Sequence, residues 1–208
     1  MTLNRILEDL WPDLPLEKAS NYFYTALHWL RRVIQKDYPA EVITYASKTC
    51  QLLPAFYGTD RQRFEALINQ VSGQSQLSLK KPAVWEAALS LYRGHYLCQL
   101  DYPWLIAERE HLKRLQLETA IRLAKHYLQD REHSKAAQLL EALAGENPLR
   151  EELHGLLLSA YAGLGDKMAV IRQYQQLQAH LAEELGLAPA PEITKLYYEL
   201  CGASRRPR

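Results

Sequence analysis

A mainly α-helical fold is what this sequence predicts: helical hairpins stacked into a superhelix, behind a small N-terminal helix-turn-helix plus β-hairpin. Three observations carry the prediction. Apolar residues recur at helical spacing along most of the chain. One short stretch, 42–53, turns instead to β-branched and aromatic residues. In the second half a weak self-similarity returns every 34 residues. The 208 residues carry 25 Lys plus Arg against 24 Asp plus Glu and are 48% hydrophobic, the balance of a globular protein rather than a disordered one. A formal net charge of +1 excludes any function resting on bulk electrostatic attraction to nucleic acid or membrane. No apolar run approaches the ~18 residues that span a bilayer, so no membrane partner is expected. Glu8, Asp9 and Asp13, with no apolar h-region beside them, give the expectation of no secretory leader. Three scattered cysteines (Cys50, Cys98, Cys201) make neither a disulfide framework nor a CxxC pair and fit a reducing cytoplasm.

The elements follow in order. Residues 3–11 read as a helix with Leu3, Ile6, Leu7 and Leu10 on one face, broken by Pro12 and Pro15. A second helix runs from Leu16 to Lys36 on the stripe Ala19, Phe23, Ala26, Leu27, Leu30, Ile34, which completes a helix-turn-helix. Val42–Leu53 reads as a hairpin turning at Ser47-Lys48, without the Asn-Gly or Asp-Gly of a strong turn. A third helix spans 60–71 through Phe64, Leu67, Ile68 and Val71, and the polar stretch 72–78 reads as a linker. Helices then occupy 83–93, 103–129, 133–145, 149–164, 166–185 and 191–201. Pro103 and Pro191 suit first turns, Asp166 a cap, and Gly165 and Gly186 helix ends. The repeat lays residues 123–140 over 157–174, with Leu123 on Leu157 and Tyr127 on Tyr161. Its length is that of the tetratricopeptide unit, with Ala136 as the small packing residue, replaced by Val170 in the degenerate second copy. Helix 103–129 carries two apolar stripes, as a helix inside a stack should.

Leu91-Tyr-Arg-Gly94 with Leu97 and Trp104, Ala107-Glu-Arg-Glu110, Asn147-Pro-Leu-Arg-Glu151 and Leu181-Ala-Glu-Glu-Leu-Gly186 with Pro189, Pro191-Glu192 and Leu196-Tyr197 together resemble the bacterial transcriptional activator domain. This is a tetratricopeptide-like module of antibiotic-regulatory-protein activators and large ATPase regulators. The front, Leu7-Glu-Asp-Leu-Trp-Pro12, Glu17-Lys-Ala19, Asn21 and Leu27-His-Trp-Leu-Arg-Arg32, looks like the second half of the winged-helix DNA-binding domain that precedes the module in that family. The resemblance implies a partial winged helix over 1–57, the repeat domain over 58–203 and a basic tail over 204–208. It implies a recognition helix within 16–36 and a wing at 42–53, with the opening strands and first helix of such a domain absent, as in a fragment or a shortened regulator. It also implies a cytoplasmic regulatory module without enzymatic activity, with double-stranded DNA and a protein, such as the transcription machinery or upstream regulatory domains, as partners. A homo-oligomer is compatible with it. A protein-binding scaffold that no longer binds DNA is the alternative.

The face of the recognition helix opposite its core holds Asn21, Tyr24, Thr25, His28, Arg32 and Gln35, with Arg31 beside it. Asn can read adenine, Thr and Tyr reach phosphates or a thymine methyl, and Arg neutralises phosphates. The expected DNA-binding residues are therefore Asn21, Tyr24, Thr25, His28, Arg31 and Arg32. Residues 1–57 hold six basic and six acidic side chains, which leaves little surplus charge for a free-standing DNA binder. Two Glu-x-x-His pairs, Glu108/His111 and Glu151/His154, have the spacing of dinuclear carboxylate bundles. The first sits in a charged run and two further inward glutamates are not evident. No metal, no cofactor and no catalysis are expected, and no Walker loop, GxSxG, HExxH or dinucleotide fingerprint occurs.

Overall fold

The computed structural model describes residues 1–37, 42–53, 58–72 and 81–202. The elements are α1 (Leu3–Leu10), α2 (Leu16–Ile34), β1 (Ile43–Ala46), β2 (Thr49–Leu52), α3 (Asp60–Ser72), α4 (Lys81–Leu91), α5 (Pro103–Gln129), α6 (His133–Glu146), α7 (Glu151–Gly163), α8 (Lys167–Leu185) and α9 (Pro191–Cys201). Each lies within two residues of its predicted ends. The predicted linker from Gly73 onward and the basic tail 204–208 lie outside the described residues. Two compact units form, Met1–Ala66 with Leu91–Lys113, and Leu67–Ser90 with Arg114–Arg208.

In the first unit, Leu3 and Leu7 of α1 pack on Ala19, Phe23 and Leu27 of α2, and Ile43 of β1 closes this small core. The hairpin pairs Ile43 with Leu52 and Ala46 with Thr49. Ser47 and Lys48 both take positive φ, 50° and 59°, the conformation of the two-residue turn whose twist matches the strands. The chain start runs along β2: Cys50 N–H donates to the Met1 carbonyl and Leu3 N–H to that of Lys48. One expectation changes here. Ala26 and Leu30 of the expected α2 stripe are exposed, and the buried face is narrower: Ala19, Phe23 and Leu27, with Ile34 packed at its edge. The neighbours that cover α2 are Leu3 and Leu7 of α1 and Ile43 of β1, packed in one cluster with Ala19, Phe23 and Leu27.

The same unit explains the family-like motifs around residues 91–110. The Arg109 guanidinium donates to three carbonyls, from Tyr96 (2.8 Å), Leu97 (2.6 Å) and Leu100 (2.5 Å), which holds a loop in which Gly94 and Leu97 have positive φ. Glu108 takes the Arg61 guanidinium at 2.6 Å, while Phe64, Leu105 and Leu112 are buried.

The second unit is the tetratricopeptide-like part. Leu117, Ala120, Ile121 and Ala124 of α5, Ala136, Ala137 and Leu140 of α6, and Leu153, Leu157 and Ala160 of α7 form one core. The repeat frame shows in the side chains. Ala136 and Val170 are both buried, and Tyr127 and Tyr161 hold matching places near the ends of α5 and α7. The Tyr127 hydroxyl donates to Glu86 of α4 (2.5 Å) and that of Tyr161 to Glu141 of α6 (2.8 Å). Helix α4 thus stands to α5 as α6 stands to α7. Both tyrosines are half-buried rather than enclosed, because their hydroxyls reach out to those carboxylates.

Helix ends behave as the sequence chemistry requires. The Asp166 carboxylate accepts the Ala169 N–H at 2.9 Å. Gly186, at φ 65°, ends α8 with Leu187 N–H returning to the Leu181 carbonyl, the Schellman pattern. Helix α9 closes the stack. Its Ile193 methyl lies 2.8 Å from where a Cβ on Gly155 would sit, Tyr197 stacks on Tyr174 at 4.1 Å, and Glu192, Lys195 and Glu199 are exposed. A polar outer face is what a terminal capping helix needs.

Candidate nucleic-acid interface

Helix α2 has no Gly or Pro between Leu16 and Ile34, an acid (Glu17) in its first turn and Arg31 and Arg32 in its last, so propensity and macrodipole agree along its length. Asn21, Thr25, His28 and Arg32 are exposed, and their i, i+4, i+7, i+11 spacing puts them on one face, roughly 16 Å from end to end at helical rise. The Thr25 hydroxyl donates to the Asn21 carbonyl at 2.8 Å, and the Arg32 guanidinium lies over the Trp29 ring, 5.4 Å from its centroid.

The other two expected residues turn toward the hairpin. The Tyr24 and Tyr45 hydroxyls share a hydrogen bond of 3.2 Å, and Phe23, Tyr24 and Tyr45 form an edge-on aromatic cluster. The hydrogen bond from Tyr24, followed by burial, pushes the Tyr45 phenol above its ordinary pKa. Arg31 is half-buried and donates through Nε and Nη2 to the Ile43 carbonyl, at 3.2 and 2.9 Å. Sequence reading had no signal for Tyr45, since a residue 21 positions from Tyr24 becomes its neighbour only once the hairpin folds back.

The two Glu-x-x-His pairs are engaged elsewhere. Glu108 binds Arg61, and His111 Nε2 lies 3.6 Å from Glu65. Glu151 accepts the Ala190 N–H at 2.7 Å. His154 is buried with both ring nitrogens in use: Nε2 bonds the Pro148 carbonyl (3.0 Å) and Nδ1 bonds Gln173 Nε2 (2.7 Å). A carbonyl can only accept and an amide NH₂ can only donate, so the ring is the neutral Nε2–H tautomer. Burial holds its pKa below the ordinary histidine value, with the Pro148 bond acting the other way. Among the described residues no group of three or more His, Cys, Asp or Glu is placed to hold a metal ion, and no helix is long and apolar enough to cross a membrane.

Known proteins resemble this chain in sequence and in fold. AfsR of Streptomyces griseus, a regulatory protein, is 27% identical over 220 residues, covering 97% of this chain and 20% of AfsR. The transcriptional regulatory protein MoaR1 of Mycobacterium tuberculosis is 41% identical over 61 residues, 29% of this chain and 20% of its own. The chain therefore spans about a fifth of the length of these relatives. In structure it is similar to Mycobacterium tuberculosis EmbR, solved in complex with low affinity phosphopeptide, with a TM-score of 0.75 at 22% identity over 96% of this chain and 54% of that one. That likeness is one of fold. The family model described as "Bacterial transcriptional activator domain" matches residues 59–201, which hold the Arg109-clamped loop, both tyrosine hairpins and the capping helix α9. The chain belongs to the bacterial transcriptional activator domain family, a family of transcriptional regulators.

Proposed function

We propose that this chain is a cytoplasmic, non-enzymatic regulatory module that meets duplex DNA through α2 and the hairpin and meets a protein, such as the transcription machinery or another regulatory domain, through its helical repeats. In this reading residues 1–57 act as the winged-helix part, 58–203 as the repeat domain and 204–208 as a basic tail. One observation carries the DNA side: Asn21, Thr25, His28 and Arg32 share an exposed face of a helix whose opposite face is packed. Asn21, Thr25 and His28 then face bases, and Arg32 faces a phosphate. Tyr24 and Arg31 contribute from the helix edge, set by their bonds to Tyr45 and Ile43. The repeats supply protein-binding surface in the manner of stacked hairpins.

A specific observation favours the second reading, a scaffold that has lost DNA binding. With Arg31 bonded to the hairpin, Arg32 is the remaining cation of the six expected contacts, and the net charge of residues 1–57 is zero. Titration of random and candidate promoter duplexes with the full chain, at several salt concentrations, tests the pair. Weak, salt-dependent binding with little sequence preference is expected. No binding at ~50 mM salt, where phosphate contacts are strongest, would favour the scaffold.

A further inference from the structure

Phe64, Leu91 and the loop 92–98 wall a cavity of about 300 Å³, at the small end of the ~300–1,000 Å³ that small-molecule sites occupy. All of its lining comes from residues 60–64 and 91–98, inside the activator domain at 59–201. The apolar wall is aromatic. Phe64 is buried and meets Tyr92 as a tilted ring pair with centroids 6.0 Å apart. The opposite wall is held by Arg109, whose guanidinium takes the Tyr96, Leu97 and Leu100 carbonyls. Leu97 is kept at φ 47°, a left-handed conformation that a leucine holds only where its surroundings impose it. Imposed strain of this kind clusters at ligand sites.

The charges around the cavity say what fits it. Arg61 is already neutralised, its guanidinium 2.6 Å from Glu108 and 3.4 Å from Glu65, over the Tyr96 ring. The Asp60 carboxylate accepts the Arg61 N–H at 2.8 Å in the first turn of α3, where the helix dipole favours it. Arg93 and His95 also line the cavity. Both are exposed and make no hydrogen bond or ion pair among the described residues. A segment packed here only to complete a core would desolvate the Arg93 charge without a partner, a cost that apolar burial does not offset. An anion carried on a flat apolar body satisfies both the rings and the cation. We infer that this cavity binds a small aromatic carboxylate. Its ring lies against Phe64 and Tyr92, its carboxylate pairs with Arg93, and His95 donates a ring N–H beside it.

The test is calorimetric titration of the full chain with naphthoate and with its neutral counterpart naphthamide, and amide shifts read on ¹⁵N-labelled chain. Naphthoate is expected to bind at least tenfold more tightly than the amide, with shifts concentrated in residues 60–64 and 91–98. Octanoate, which has the charge without the rings, should bind more weakly than naphthoate. Arg93→Ala, at an exposed position, should erase the preference for acid over amide while leaving the thermal midpoint unchanged. Arg122→Ala, an exposed cation outside the cavity, should leave that preference intact. Equal binding of acid and amide, shifts centred elsewhere, or no binding of naphthoate at ~1 mM overturns the proposal. Tighter binding of naphthylmethylamine also overturns it, by giving recognition to Asp60.

Discussion

His154 shows how one buried polar side chain ties three segments together. Its ring joins α7 to the 147–150 turn through Pro148 and to α8 through Gln173. A proton added to Nδ1 would face the Gln173 NH₂ donor, so the neutral ring is the native form. Because burial depresses the folded pKa, the unfolded chain binds more protons as pH falls through the ordinary histidine range. Stability contributed by the neutral ring is therefore present above about pH 6.5 and lost progressively below it. Urea unfolding at pH 7 and pH 5 should show wild type losing more stability than His154→Gln across that interval, by at most ~1.4 kcal/mol per pH unit for one proton. Parallel losses would mean that His154 is protonated in the folded state. The tyrosine pair gives a second residue-level expectation. Burial first, then the bond to Glu141, pushes the Tyr161 phenol up to about 12, so both tyrosines stay neutral donors. Tyr127→Phe and Tyr161→Phe should each cost ~1 kcal/mol for the lost hydrogen bond. The Ala variants should cost roughly 2–4 kcal/mol, since only half of each ring is enclosed. Equal melting of the Phe and Ala variants would remove the rings from the packing.

At the scale of elements, two places show where sequence pattern ends and packing begins. Gly163, the last residue of α7, lies against the His133 imidazole of α6, with no room for a Cβ before ring atoms. Gly163→Ala should cost ~1–3 kcal/mol despite the better helix propensity of Ala, and His133→Ala should restore part of the loss in the double variant. The hairpin runs the other way. Ser47 and Lys48 occupy left-handed conformations that Asn and Gly adopt with less strain. Ser47→Asn with Lys48→Gly should stabilise the chain by ~1 kcal/mol, read as a higher denaturation midpoint at unchanged m-value. The helices were legible because apolar period, prolines at Pro103 and Pro191 and the Asp166 cap are local signals, each within a turn of what it controls. The hairpin was legible from β-branched content alone, and its turn residues only from structure. What the sequence could not show is which apolar positions find a neighbour. Ala26 and Leu30 satisfy the helical period as well as Phe23 and Leu27 do, yet they are exposed, because periodicity marks an apolar face without saying which positions a neighbouring element covers. The clamp by Arg109 was likewise hidden, its carbonyl partners lying 9 to 13 residues away along a loop.

For the molecule as a whole, the decisive question is what Arg31 and Arg32 each do, since adjacent residues on α2 point to different tasks. Arg31 is half-buried against the Ile43 carbonyl, whereas Arg32 is exposed over Trp29. Removing Arg31 leaves a strand carbonyl short of its donors, so Arg31→Ala should destabilise the chain by ~1–2 kcal/mol. Its effect on DNA should follow from the shifted hairpin, weakening every duplex without changing the salt slope. Removing Arg32 leaves the fold intact and takes away one phosphate partner. Arg32→Ala should lower affinity for all duplexes by a similar factor and flatten the dependence of log K on log salt by ~1. Asn21→Ala, on the same exposed face, should leave that slope alone and relax preference at a single base pair. The measurement is one set of duplex titrations between ~50 and ~200 mM salt, with thermal melts of the same variants. A salt slope that changes with Arg31→Ala and not with Arg32→Ala would reverse the two roles and move the DNA surface toward the hairpin. Identical slopes in all three variants would detach α2 from DNA and favour the scaffold reading.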